Sequence, residues 1–187
     1  MASATSFVCF IVLSLALSCF GQDCPFFGTD RKPTPKTNLG NCTWYEYSSC
    51  CERAEVSAVF AEMLSLQGAS QACRNRVNYM MCYFCDPRQR TFLVTVPRQA
   101  SICSDFCDET YNECSGALHN GMSLSSRYAT GKSFCEANFF RYGTNTRSCM
   151  PFNASAFSAA SHLHTSQYST APMLLVSAGL AIIHSLF

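Results

Sequence analysis

Twelve cysteines fall between Cys24 and Cys149 of this 187-residue chain, with an adjacent pair at Cys50-Cys51 and a cluster at Cys103, Cys107 and Cys114. Crosslinks at that density constrain the fold more than any apolar core does. An even number of cysteines in an exported chain reads as a disulfide framework, here of six bridges. Each bridge typically contributes ~2–4 kcal/mol, mainly by restricting the unfolded chain.

The two ends of the chain point to export. Phe7 to Phe20 is an apolar run broken only by serines and cysteines, with small residues at Ser18 and Gly21. That pattern fits a secretory signal peptide over residues 1–21, cleaved near Gly21, with Ser18 as the other candidate. No Lys or Arg precedes the run, so only the α-amino group supplies positive charge there. Met173 to Phe187 is apolar apart from Ser177, His184 and Ser185 and has no basic flank. It is shorter than the roughly 20 apolar residues of a spanning helix. An uncharged spacer, Ser161 to Ala171, precedes it, and the small residues Ser158, Ala159 and Ala160 precede the spacer. Small residues, a polar spacer and an apolar tail form the signal for a glycosylphosphatidylinositol anchor. The expected attachment residue is Ser158, with Ala159 or Ser161 as alternatives, and residues 159–187 are the expected removed signal.

Residues 22–158 then form one mature domain. All 13 Lys and Arg and all 12 Asp and Glu lie in it, giving a net charge of +1. No basic stripe is available for nucleic acid. Asn41-Cys42-Thr43 and Asn153-Ala154-Ser155 are glycosylation sequons, consistent with export and surface exposure at Asn41 and Asn153. A bridge formed early at Cys42 would block modification at Asn41.

Periodicity predicts three helices. Ser49 and Glu52 have capping-box spacing, and Val56, Val59, Phe60, Met63 and Leu64 then share one face until Gly68. A second helix runs from about Gln71 to Phe84, with Cys73, Val77, Met80, Met81 and Phe84 on one face, and Asp86-Pro87 ends it. A third opens near Ser101 and carries Cys103, Phe106, Cys107, Tyr111 and Cys114 on a single stripe. Thr91 to Val96, before Pro97, is the strand candidate. Gly121 to Gly131 reads as a loop, and Phe134 to Phe140 as a short helical piece. The fold class is α+β, a predominantly helical, small, disulfide-rich domain with six disulfides.

Cys50 and Cys51 diverge and each requires a distant partner, because a bridge between neighbours is badly strained. Cys103, Cys107 and Cys114 require partners on other elements. The Cys82-x2-Cys85 and Cys103-x3-Cys107 spacings have no nearby histidine, which favours structural disulfides over a zinc or redox site. His119 is the one histidine inside the mature domain's core, so no Ser/His/Asp set is built, and Asp108 and Glu113 read as the wet side of a helix. Catalysis, a cofactor and a metal are not expected.

Three stretches together resemble a known family: Cys42-Thr43-Trp44 leading to Ser49-Cys50-Cys51-Glu52; Cys82-Tyr83-Phe84-Cys85-Asp86-Pro87; and Ile102 to Cys114 with its C-x3-C-x6-C spacing. The chain from Cys24 to Cys149 is similar to the folate receptor and riboflavin-binding protein family, which includes the cysteine-rich domain of hedgehog-interacting proteins. The resemblance implies the pairing Cys24–Cys50, Cys42–Cys82, Cys51–Cys85, Cys73–Cys114, Cys103–Cys135 and Cys107–Cys149. It also implies a lipid-anchored receptor with an aromatic pocket for a pterin-bearing vitamin, and it places the acid that holds the pterin near Glu62. One departure is that folate receptors line the pocket with several tryptophans, whereas Trp44 is the single tryptophan here.

Aromatic residues remain plentiful: Tyr45, Tyr47, Tyr79, Tyr83, Phe92, Tyr128, Phe139, Phe140 and Tyr142. Flat ligands stack on such rings, and a few fixed polar groups orient them. The expected ligand set is Trp44, Glu62, Tyr79, Tyr83, Arg98 and Arg127. Two functions fit: a cell-surface receptor for a small planar ligand such as a pterin, folate or flavin, or a cell-surface module for an extracellular protein partner.

Overall fold

The run of apolar residues after the Cys50-Cys51 pair forms the first helix, α1 (Arg53–Glu62), in a computed structural model that describes residues 23–28, 31–63 and 65–158. The expected signal peptide (residues 1–21) and removed anchor signal (residues 159–187) lie outside the described residues. The cap of α1 sits one turn later than the sequence predicts. Glu52 is the N-cap and shares a reciprocal capping box with Glu55, whose carboxylate accepts from Glu52 N at 2.7 Å. Ser49 is buried, and its hydroxyl accepts from Cys51 N at 3.1 Å. A helix begun at Ser49 would hold both cysteines in its first turn, whereas here they precede it and are bonded to Cys24 and Cys85. The helix also stops early, at an extended Met63, because Val56 is its one buried residue and little packing sustains a further turn.

Helix α2 (Gln71–Met81) starts where expected, with Ser70 Oγ accepting from Cys73 N at 2.9 Å. Cys73, Val77, Tyr79 and Met80 are buried. Beyond Met81 the chain tightens into a 3₁₀ turn, Cys82–Cys85. In 3₁₀ geometry residues three apart eclipse, so Cys82 and Cys85 both reach the segment of residues 42–51, where they bond Cys42 and Cys51. Extended Asp86, before Pro87, ends the run.

The predicted strand is shorter than its sequence signal. Gln89–Phe92 forms a single helical turn, α3, and β1 spans Leu93–Thr95. It pairs antiparallel with β2 (Arg98–Cys103), Leu93 opposite Ala100. β2 in turn pairs parallel with β5 (Arg141–Gly143), Ser101 opposite Arg141. The third helix, α4 (Ser104–Cys114), therefore opens three residues later than predicted, with Cys103 as its N-cap. Residues 101–103 are buried strand because residues 141–150 supply their hydrogen-bond partners. The stretch read as a loop from Gly121 begins inside a hairpin, β3 (Leu118–His119) with β4 (Met122–Ser123). Asn120 and Gly121, with φ of 52° and 78°, turn it in the way Asn-Gly favours. A short helix, α5 (Leu124–Arg127), and α6 (Gly131–Ala137) follow.

Six disulfides hold this small, mainly helical α+β domain. Four are paired as the resemblance implies: Cys24–Cys50, Cys42–Cys82, Cys51–Cys85 and Cys73–Cys114. The other two are exchanged. Cys103 bonds Cys149, with Cα atoms 4.9 Å apart, and Cys107 bonds Cys135, at 6.0 Å. Cys103 ends β2, whose N–H donates to Met150 O at 3.1 Å, so Cys149 is the cysteine beside it. Cys107, one turn into α4, faces α6. There Gly131 allows a close approach, since a Cβ on it would lie 2.5 Å from Asp108 Cα.

Candidate functional site

An apolar cleft of about 420 Å³ opens between the end of α1, α2 with its 3₁₀ turn, the start of β2 and the end of α6. Its wall consists mainly of Phe, Met, Val and Leu side chains, including Phe26, Met80, Phe134 and Phe140, with Glu62, Arg98 and Asn138 as its polar groups. Small-molecule sites share this make-up and a size of roughly 300–1,000 Å³. Tyr83 anchors the interior. Its ring meets Phe26 and Phe140 edge-on, at 5.4 and 5.5 Å between centroids. Burial raises the Tyr83 phenol above its ordinary pKa, while the Arg98 charge opposes the shift. The Arg98 guanidinium also lies 5.7 Å from the Phe26 ring centroid.

Phe139, at the mouth, is 82% exposed with φ of +64°. The end of α6 explains the angle. Phe139 N donates to Glu136 O at 3.2 Å and Phe140 N to Cys135 O at 3.0 Å, the two bonds of a Schellman motif. Glycine usually occupies the left-handed position of that motif; here it is a phenylalanine. The side chain of Asn138, just before it, donates to Phe134 O at 2.7 Å. A bulky residue held left-handed stores roughly 1–3 kcal/mol of strain, so the surrounding bonds fix an exposed ring at the entrance.

A second cleft, about 490 Å³, lies beside Trp44, Tyr45, Tyr79, Asp86 and Arg88. Asp86 is fully buried and accepts from Tyr45 OH at 3.0 Å. It also accepts from Arg88 N at 2.7 Å, Nε at 3.1 Å and Nη2 at 2.8 Å. Burial, and then the Asp86 charge, push the Tyr45 phenol far above its usual range. Burial likewise raises Tyr79, and the hydrogen bond to Asp86 raises Arg88. Tyr79 is 2% exposed and packs against Trp44, Phe106 and Phe152, so it is chiefly a core residue.

The six expected ligand residues are therefore not brought together. Glu62, Tyr83 and Arg98 line the apolar cleft, Trp44 and Tyr79 the second one, and exposed Arg127 at the end of α5 lines neither. Asp108, expected on a wet face, is half-buried and accepts from Tyr142 OH at 2.8 Å. All twelve cysteines of the described residues are in disulfides. No helix of the described residues is long and apolar enough to cross a membrane.

Residues 23–171 match the sequence profile of the Folate receptor family. The riboflavin-binding protein of Gallus gallus is 26% identical over 131 residues, covering 59% of this chain and 53% of the relative. The chain thus spans about half the length of that relative.

Proposed function

Because the chain belongs to the folate receptor family, we propose that it is a cell-surface binding protein that holds a small planar ligand, a pterin, folate or flavin, in the cleft between α1, α2 and the Phe139 turn. The observation that carries this reading is the pairing of a half-buried Tyr83 inside an apolar cleft with an exposed Phe139 fixed at its mouth. A flat heteroaromatic ring of about 200 Å² buried at ~25 cal/mol per Å² contributes about 5 kcal/mol. Ring stacking adds about 0.5–1.5 kcal/mol. Association offsets much of this, so orientation and specificity fall to Arg98, Glu62 and Asn138. Arg98 suits a carboxylate or ring carbonyl of the ligand, and Glu62 suits its N–H groups. The ligand named for the Gallus gallus relative, riboflavin, belongs to this class.

The protein acts as an extracellular receptor tethered by a glycosylphosphatidylinositol anchor at Ser158, and its role is binding, not catalysis. Thermal unfolding of the protein with riboflavin, folic acid and pterin tests the ligand, since a molecule that binds only the folded form raises the melting temperature. No shift with any of the three overturns the small-ligand reading and leaves recognition of an extracellular protein, through exposed residues such as Tyr47, Val96 and Phe139. Release from intact cells by a phosphatidylinositol-specific phospholipase tests the anchor; protein retained after treatment refutes it.

A further inference from the structure

The second cleft carries a modification signal in its own wall. Asn153 and Ser155, the first and third residues of a sequon, both line it, and both are exposed. Asn153 Oδ1 accepts from Ser155 N at 3.1 Å and from Ser155 Oγ at 2.7 Å. Those bonds engage the carboxamide oxygen and turn the nitrogen, the atom that takes a sugar, away from Ser155. The same cleft is lined by Tyr47, 91% exposed, and by half-buried Trp44, whose indole N–H has no hydrogen-bond partner among the described residues. A pyranose ring has an apolar C–H face that stacks on an aromatic ring, and an edge of hydroxyl and acetamido groups that hydrogen-bond. Tyr47 offers the first surface, and Glu46, Ser48 and Arg88 the second.

We propose that Asn153 is N-glycosylated and that its first N-acetylhexosamine folds back over this cleft, stacking on Tyr47 and capping the Trp44 side. Attachment joins Asn153 Nδ2 to the anomeric carbon of a lipid-pyrophosphate-linked oligosaccharide. The anomeric C–O bond breaks, the lipid pyrophosphate leaves with the electron pair, and the amide proton passes to the base of the transferase. The cap covers the polar cleft and leaves the apolar one open, so the glycan and the small ligand do not compete.

Trp44 is the only tryptophan of the chain and lines this cleft, so in the folded protein tryptophan emission and its quenching are read at this site. The test uses the full chain from a glycosylating host in four forms: intact, trimmed by endoglycosidase to a single N-acetylglucosamine, Asn153→Gln and Ser155→Ala. Mass mapping is expected to find the sugar on Asn153. The intact and trimmed forms are expected to share blue-shifted Trp44 emission and weak quenching by acrylamide, whereas both variants show a red shift and stronger quenching. Removing the whole glycan from the folded intact protein with an amidase, expected to give the same red shift and stronger quenching as the variants, keeps the test valid if either variant fails to fold. An unmodified Asn153, equal quenching in all forms, or loss of protection on trimming to one sugar each overturns the proposal.

Discussion

Replacing Asp86 by asparagine isolates the network under the second cleft without changing its shape. The carboxylate, with no exposed surface, holds four donors between its two oxygens: Tyr45 OH and Arg88 Nη2 on Oδ2, and Arg88 N and Nε on Oδ1. If the carboxamide turns its NH₂ to the Oδ1 side, both Arg88 bonds there are lost; if it turns it to the Oδ2 side, the Arg88 Nη2 bond is lost while the Tyr45 hydroxyl turns to accept, so at least one bond goes together with the ion pair. Hydrogen bonds to a charged group are worth about 1.5–3 kcal/mol each. The Arg88 side chain is 51% exposed and turns to water when released, which discounts its share heavily. The expected loss for Asp86→Asn is therefore about 2–3 kcal/mol. Tyr45→Phe removes one neutral donor from the same carboxylate and leaves three, for about 1 kcal/mol. The assay is urea unfolding with the disulfides intact, followed by Trp44 emission, with stability taken from midpoints at constant slope. The double variant should lose less than the sum of the two, because the bonds share one acceptor. A loss below about 0.5 kcal/mol for Asp86→Asn, the range of ordinary surface substitutions, refutes the reasoning.

Four further outcomes follow from the geometry. Phe139→Gly is expected to raise stability by about 1 kcal/mol through relief of the left-handed strain. It should also weaken whichever of riboflavin, folic acid or pterin binds by about tenfold, ~1.4 kcal/mol, both read by urea unfolding and calorimetric titration. Gly131→Ala pushes a Cβ to 2.9 Å from Asp108 N and should lower stability by about 2–3 kcal/mol, seen as a drop in urea midpoint. Burial raises Tyr45, Tyr79 and Tyr83 above the ordinary phenol pKa of about 10, so the fold favours their neutral form. The stability they contribute is full below pH ~10 and is lost as pH rises from there toward the folded values, with phenolate absorbance showing these rings titrating last. Non-reducing peptide mapping should join the peptide of Cys107 to that of Cys135, and the peptide of Cys103 to that of Cys149.

Local signals carried what local physics decides. Ser70, the apolar face of α2 and the Asp86-Pro87 stop were legible because cap, periodicity and breaker agree within a dozen residues. β2 was not, because Ile102 and Cys103 sit at helical spacing from Phe106 and Cys107, and only residues 141–150, forty positions away, make them a strand. The exchanged disulfides have the same origin: spacing shows which face a cysteine occupies, and the long-range pairing of β2 decides which partner reaches it. At the candidate site, Glu62, Tyr83 and Arg98 do share a cleft. In the sequence Phe139 is one of nine aromatics on which a flat ligand could stack, and nothing singles it out, because a Schellman turn that lacks glycine has no composition signal.

Tyr79 and Tyr83 stand four residues apart, a spacing that places side chains on one face of a continuous α-helix. Here they serve different clefts, and the change from α to 3₁₀ winding between them accounts for the split. Three residues per turn in place of 3.6 rotates Tyr83 away from the row that carries Tyr79. The winding is held by the bonds of Cys82 to Cys42 and of Cys85 to Cys51. The crosslinks thus do more than restrict the unfolded chain: by tightening the end of α2 they direct one aromatic ring into the core beside Trp44 and the next into the apolar cleft. The two clefts, one lined by Tyr79 and the other by Tyr83, are thereby separate surfaces joined by one short helix and its 3₁₀ turn.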